Sequence, residues 1–421
     1  MKLYPAYKDS GIEWLGKIPK HWEIKKLKYL FSLSNGESAQ NERSGDYLLY
    51  GANGVIGNYE KANIFDEKIV IGRVGASGEI NVAQKNSWVS DNALIVDLFT
   101  NIHFKFIFYL LKSINFPNQI NKTAQPLITG AFIGNYPACI PEYAEQIAIA
   151  TYLDRKTSQI DDLISKKERM VELLKEERTA IINQAVTKGL DPNVEIKDSG
   201  IDWLGKIPKH WEIKKLKYIA RVNNMALSET TDENYEFNYI DISNVSLEEG
   251  FTLGEKFNFA NAPSRARRIV RKGDTIVSTV RIYLKAITYF GNDVNDIIVS
   301  TGFAVISPHK NFAPKFLYYI LRSEKFIDRV CALSVGVNYP AINSTDLSDI
   351  IIWYPDNKNE QEKIAKYLDS IVMKTNDAIK RLQTEISYLQ EYRTALISEV
   401  VTGKIDVRNC FINTEGVSNA T

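Results

Sequence analysis

The densest run of chemistry-bearing side chains is "SRARRIVRKGDTIVSTVRIYLK", from Ser264 to Lys285, which sets Arg265, Arg267, Arg268, Arg271, Lys272, Arg281 and Lys285 against a single acid, Asp274. Guanidinium groups at this density, with the hydroxyls of Ser278 and Thr279 beside them, suit a polyanion: phosphate contacts for affinity and base-edge contacts for selectivity. A basic strand edge protected against aggregation is the plainer alternative. Closer to the start lie two glycine clusters, "GANGVIGNY" (Gly51, Gly54, Gly57) and "GRVGASG" (Gly72, Gly75, Gly78). Neither forms GxGxxG at a strand-to-helix junction, and no GKS or GKT follows, which argues against a dinucleotide site or a P-loop. Asn53-Gly54 reads as a hairpin turn. The second cluster reads either as a series of tight turns or as a loop whose backbone N–H groups and Arg73 approach a large polyanion. Charges nearby balance, with Lys61, Lys68, Arg73 and Lys85 against Glu60, Asp66, Glu67 and Glu79. Any nucleic-acid contact there relies on few cations and on polar loops.

Catalytic patterns are absent. No DPPY or NPPY methyltransferase motif occurs; "NYPA" appears at Asn135 and at Asn338 without a glycine-rich cofactor loop. No paired-carboxylate nuclease signature, GxSxG or DEAD-like motif is visible. Cys139, Cys331 and Cys410 are odd in number and far apart, and His21, His103, His210 and His309 form no metal-binding spacing, so neither a disulfide framework nor a metal site is expected. The chain reads as a non-enzyme.

The elements that must position these residues come in duplicate. "KDSGIEWLGKIPKHWEIKKLKY" (Lys8 to Tyr29) returns as "KDSGIDWLGKIPKHWEIKKLKY" (Lys197 to Tyr218), differing only at Glu13/Asp202. "EQIAIATYLD" from Glu145 matches "EQEKIAKYLD" from Glu360, and "ERTAIINQAVTKGLD" from Glu177 matches "YRTALISEVVTGKID" from Tyr392. Repetition of this kind must be recognised before anything else is read. Between these markers Ile160, Ile164, Lys167, Val171, Leu174, Arg178, Ile181 and Ala185 alternate steps of four and three, as do Thr375, Ile379, Leu382, Ile386, Leu389, Arg393, Leu396 and Val400. Both are heptad seams in one register, each interrupted by an arginine. Helices of about 42 residues, roughly 60 Å long, cannot hide such seams alone. Pairing with each other is the economical solution; packing of each on its own domain is the alternative.

The intervening blocks share a framework beneath unlike loops. "FIFYLLKS" (Phe106 to Ser113) matches "FLYYILRS" (Phe316 to Ser323) as an apolar helix, and "ALIVD" matches "FAVIS" as the strand before it. "IVIGRVGASGEI" (Ile69 to Ile80) and "TIVSTVRIYLKAI" (Thr275 to Ile287) each read as a strand followed by a divergent loop. One scaffold with two loop sets can present two different binding surfaces. The reading is α/β (α+β): a first domain at 1–144, a long helix at 145–190, a second domain at 191–359, a second long helix at 360–407 and a tail at 408–421.

The chain has 421 residues, 44% of them hydrophobic and 24% charged, with a formal net charge of +1. That length suggests about two to four domains, and near-neutral charge gives no global sign of nucleic-acid binding. No apolar run is long enough to span a bilayer, and "MKLYPAYKDS" lacks a signal-peptide core, so a cytoplasmic location is expected.

In this order, "WLGKIPKHWE", "EQ…YLD" and "RTA…VT", twice over around two α/β blocks, the chain resembles the specificity subunit of type I restriction-modification systems along nearly its whole length. The resemblance implies two target-recognition domains in pseudo-twofold tandem, joined by two antiparallel helices forming a coiled coil. It implies that each domain reads half of a split, asymmetric target in double-stranded DNA. It also implies docking of two methyltransferase subunits, which methylate adenine N6 with S-adenosylmethionine, and of motor-nuclease subunits using ATP and Mg; this chain itself needs no cofactor. The expected DNA contacts are Tyr50, Asn53, Arg73, Ser77, Asn92 and Gln125 in the first block, and Arg265, Arg267, Arg268, Ser278, Thr279, Arg281, Lys285, Asn338 and Tyr339 in the second. Gln125 to Ile128 occupies the place of Tyr339 to Ile342, suggesting paired loops. Partner docking is expected at Trp14, Trp22, Trp203, Trp211, Tyr152, Arg178, Tyr367 and Arg393, with the tryptophans anchoring each opening segment near the helix ends. The alternative is a dimerising scaffold whose two domains bind proteins rather than DNA.

Overall fold

The computed structural model describes residues 2–39, 45–116, 127–248, 250–292, 294, 296–336 and 340–410. The chain divides into two compact units: Met1–Glu168 with Gln383–Thr421, and Arg169–Leu382.

In the first unit a hairpin pairs Tyr7–Asp9 with Lys17–Pro19, and Glu23–Lys26 pairs with Pro137–Ile140. Its main sheet is antiparallel, in the order Phe31–Asn35, Ala93–Leu98, Lys68–Gly72, Ile80–Ala83. The apolar run Ala93–Val96 is central because it is buried on both faces. A second sheet holds Gly54–Tyr59, Tyr47–Gly51 and Trp88–Val89. The helix Phe104–Ile114 buries Phe106, Ile107, Leu110, Leu111 and Ile114, one face of a 3.6-residue repeat, and ends at Asn115 in the left-handed conformation.

The second unit repeats this frame. Ile196–Asp198 pairs with Lys206–Pro208, and Trp211–Lys215 with Ile351–Pro355. Its main sheet runs Ala220–Val222, Phe303–Pro308, Thr275–Ser278, Ile287–Tyr289, the same order and sense as in the first unit. The helix Pro314–Leu321 starts with proline, whose missing N–H costs nothing there. A further sheet, Lys256–Asn258, Glu236–Ile240, Ile297–Ser300 and Ala266–Ile269, belongs to this unit.

The two long helices are Tyr143–Lys188 and Lys358–Val401. Each passes from one compact unit into the other, so neither is a domain of its own as the sequence division supposed: each stretch of helix is built into the core beside it. Within the first unit Ile160 packs in the same core as Leu396, Ile397 and Val400, while Asp161 pairs with Arg393 and Lys167 with Glu385. Falling numbers on one helix meet rising numbers on the other, so the pairing is antiparallel. The second unit does the same: Arg178 meets Asn376, while Ile182 and Val186 share a core with Ile364 and Leu368. Every expected seam position is buried or half-buried.

Candidate nucleic-acid interface and its helix junctions

The repeated motifs lock each domain to its helices through the same bonds. Gln146 accepts from the His103 N–H at 2.9 Å and donates to the Pro141 carbonyl at 3.1 Å; Gln361 accepts from the Ala313 N–H and donates to the Pro355 carbonyl, both at 2.8 Å. Each glutamine satisfies backbone groups at the start of the domain helix, where orphan donors are otherwise exposed. The Tyr109 hydroxyl donates to Asp154 at 2.6 Å, and the Tyr319 hydroxyl to Asp369 at 2.7 Å. Burial first, then that carboxylate, push the Tyr109 hydroxyl up to about 12, and Tyr319 is raised in the same way. His21 meets Glu145 at 2.8 Å and His210 meets Glu360 at 3.0 Å. These residues, rather than Tyr152 and Tyr367, are what "EQ…YLD" does in each copy; the repeat marked them, but only the contacts rank them.

The expected docking residues therefore divide. Trp22 and Trp211 are 0% and 1% exposed. Trp22 packs edge-on to Tyr4, and Trp211 packs on Phe316 and donates to Glu360 at 3.1 Å, so both anchor the opening segments and neither is a docking surface. Arg178, 3% exposed, is also corrected: it donates to Asn376 and Glu248 inside its unit. Arg393 spans both oxygens of Asp161, at 2.8 and 3.1 Å. Trp14 lies against Tyr136 and Trp203 against Trp353, both half-buried, and Tyr152 is half-buried too. Tyr367 is exposed. The duplicated "IKKLKY" presents a matched surface that residue choice missed: Tyr29 and Tyr218 are 63% and 64% exposed, each with the preceding lysine over its ring.

At the other end of each main sheet, one frame holds two unlike loops. In the first unit the Arg73 N–H donates to the Asn92 carbonyl at 2.8 Å, and the Arg73 carbonyl accepts from Ile128 at 3.0 Å. In the second, the Thr279 N–H donates to Gly302 at 2.8 Å, and the Thr279 carbonyl accepts from Ile342 at 2.9 Å. Val74 bridges Leu127 and Val280 bridges Ala341, so the two loop pairs are equivalent where they are described. Gln125, Asn338 and Tyr339 lie outside the described residues.

In the first unit this frame gathers Asn53, Arg73 and Asn92. The hairpin closes with Gly51 opposite Gly54, putting Ala52 and exposed Asn53 at its tip, one residue earlier than expected. The tip rests on Gly72, where a Cβ would fall 2.4 Å from the Ala52 carbonyl oxygen; only glycine permits that approach. Arg73 reaches the Asp91 carbonyl at 3.4 Å. Tyr50 and Ser77 are corrected: both are 4% exposed, Tyr50 accepts from Gln84, and Ser77 donates to the Arg73 carbonyl at 2.8 Å, so they build the loop rather than face a ligand.

In the second unit an open groove of about 680 Å³ is lined by Tyr239, Asp241, Ser243, Arg265, Arg281 and Ser300, among others. Arg281 and Lys285 both adopt left-handed backbone conformations, φ 51° and 50°, flanking the turn Ile282–Leu284. Strain of this kind in non-glycine residues is concentrated at functional sites. Ser278 and Thr279 are corrected: 2% and 9% exposed, they donate to the carbonyls of Val280 and Gly302. Arg268 is a sheet residue opposite Val299; its Nε is buried without a partner among the described residues, and burial lowers its pKa. Arg267 stacks over Phe259, 4.9 Å from the ring centroid. Arg265, Arg281 and Lys285 are thus the exposed cations among those expected. The cluster's lone acid, Asp274, accepts from the Arg271 N–H, and burial raises its pKa. Sequence reasoning passed over Tyr239, Asp241 and Ser243, although "DISN" is an Asx-capping pattern.

The sequence pattern of the family described as "Type I restriction modification DNA specificity domain" matches residues 19–173 and 208–388. The MjaVIII specificity subunit of Methanocaldococcus jannaschii is 23% identical over 96% of this chain and 98% of its own. The HindI specificity subunit of Haemophilus influenzae is 29% identical over 39% of this chain and 36% of its own. Among solved structures, one described under complex assembly and conformational transition of the type I R-M system superposes with a TM-score of 0.68, at 14% identity, over 92% of this chain and 99% of that one. The HsdS subunit from Thermoanaerobacter tengcongensis gives 0.53 at 16% identity, over 94% and 100%. These likenesses establish a shared fold.

Proposed function

The chain belongs to the type I restriction-modification DNA specificity family, and from that premise we propose that its two domains read unlike halves of one split, asymmetric DNA target. The observation that carries this reading is that the two units share strand order, glutamine and tyrosine helix junctions and loop-anchoring backbone bonds, while the loops they hold differ in sequence and charge. In the first half, Asn53, Arg73 and Asn92 face the duplex; in the second, Arg265, Arg281 and Lys285 do. Phosphate contacts from the exposed cations supply affinity, and base-edge contacts supply selectivity.

The repeated surfaces serve a separate purpose. Two identical partner subunits require two identical patches, and Tyr29 and Tyr218 with their lysines form such a pair. Two methyltransferase subunits dock there and methylate adenine N6 with S-adenosylmethionine; motor-nuclease subunits using ATP and Mg complete the assembly. The long helices set the spacing between half-sites. Catalysis resides in the partners, and this chain selects where they act.

Footprinting of the purified complex with its methyltransferase partner, on DNA carrying the genome's mapped methyladenine motif, tests the reading. Protection of two separate half-sites is expected. Arg73→Ala should weaken one and Arg281→Ala the other, each by about 1–3 kcal/mol. A protein-binding scaffold gives no sequence-dependent protection at all.

A further inference from the structure

The groove of the second domain holds more than cations. Asp241 stands in it, and a carboxylate repels phosphate, so a surface built only to hold a DNA backbone has no use for one. Its position is set locally: Oδ1 accepts from the Ser243 N–H at 2.8 Å and from the Ser243 hydroxyl at 2.6 Å, while the Asp241 N–H donates to Asn244 Oδ1 at 3.1 Å. This capping box fixes the side chain. The second oxygen, Oδ2, has no partner among the described residues.

The Arg281 backbone is fixed as well. Its N–H donates to the Pro340 carbonyl at 3.0 Å, and its left-handed backbone aims the loop. Arg265 also lines the groove, and its guanidinium makes no ion pair among the described residues. One groove therefore offers forked donors and one preorganised acceptor. In the major groove a G·C pair presents the reverse: the O6 and N7 acceptors of guanine beside the N4 amino donor of cytosine. An A·T pair offers an amino group, but its two acceptors, adenine N7 and thymine O4, are separated by that amino group and do not match an arginine fork.

Resting on the DNA-reading role above, we propose that this groove reads a G·C pair in the second half-site, with Arg281 donating to guanine and Asp241 Oδ2 accepting from the cytosine amino group. Arg265, at the mouth, holds the adjacent phosphate.

The test uses the full chain in complex with its methyltransferase partner and duplexes carrying the mapped target with each base pair substituted in turn. Wild-type complex should demand G·C at one position of the second half-site. Asp241→Asn keeps the cap, because the amide oxygen still accepts from Ser243, and should reduce discrimination at that position by roughly 10- to 100-fold. Arg281→Lys keeps the charge but loses the fork, and should relax guanine selection there with the first half-site unchanged. A second half-site lacking any G·C pair, or an Asp241→Asn complex with unaltered selectivity or with equal loss on every sequence, overturns the proposal while leaving sequence-dependent protection intact. Absence of that protection would instead overturn the DNA-reading role itself.

Discussion

Each unit sets a guanidinium in its helix seam, fully buried at Arg178 and half-buried at Arg393, and the two are neutralised differently. In the first unit Arg393 grips the carboxylate of Asp161 from the facing helix. In the second, the corresponding Arg178 meets Asn376, which carries no charge, and a recognition-domain residue, Glu248, supplies the missing carboxylate. Burying an unpaired ion costs several kcal/mol, so this seam is complete only with its own domain in place. The first helix pair is self-sufficient, whereas the second depends on a variable loop. Shared architecture thus conceals a local dependence that no repeat pattern announces.

Three experiments bear on that comparison. The largest effect is expected where the units agree: Trp22→Ala and Trp211→Ala should each cost about 3–5 kcal/mol in chemical denaturation, and a cost below about 1 kcal/mol for either would break the equivalence of the junctions. Where the units differ, Glu248→Gln should destabilise the second unit by about 1–3 kcal/mol, less than a fully buried broken pair because Glu248 is half exposed. Adding Asn376→Asp, which recreates the first unit's arrangement, should recover most of that loss; no recovery would mean that Glu248 acts through something other than Arg178. Asp161→Asn should cost less than about 1 kcal/mol, since that pair is partly solvated.

The smallest effect concerns alkaline stability. The Tyr109 hydroxyl is raised from 10.0 to about 12. Below pH 10 the folded and unfolded chains both keep this proton; between 10 and 12 the unfolded chain loses it first, so stability falls as pH rises. Tyr109→Phe should make the denaturation midpoint less steep with pH across that window than in the parent, and identical slopes would show that the proton is not held by folding. Tyr319→Phe should do the same in the second unit.

Much of this was legible in the chain. The seam residues alternate by four and three, and a heptad is a property of sequence spacing alone. Likewise "ALIVD" and "FAVIS" mark central strands because strands buried on both faces admit little but apolar residues. Loop residues fared differently. Ser77, Ser278 and Thr279 have the chemistry to touch DNA, yet each is buried and donates to a backbone carbonyl, of Arg73, Val280 and Gly302 in turn, because buried backbone acceptors must be satisfied first. Tyr50 turned inward because a strand alternates faces, and the bulge between Leu49 and Tyr50 shifts that alternation out of reach of simple counting.

The sequence by itself determined the duplication, the helix seams and the matching strand and helix segments of the two blocks, since each is written in local spacing and repetition. Tertiary structure alone decided that Glu248 completes Arg178, that Asp241 joins Arg281 in one groove, and that Tyr29 and Tyr218 stay exposed while Trp22 and Trp211 do not. Those outcomes depend on which distant segments compete for the same donor or the same space, and separation along a chain carries no record of that competition.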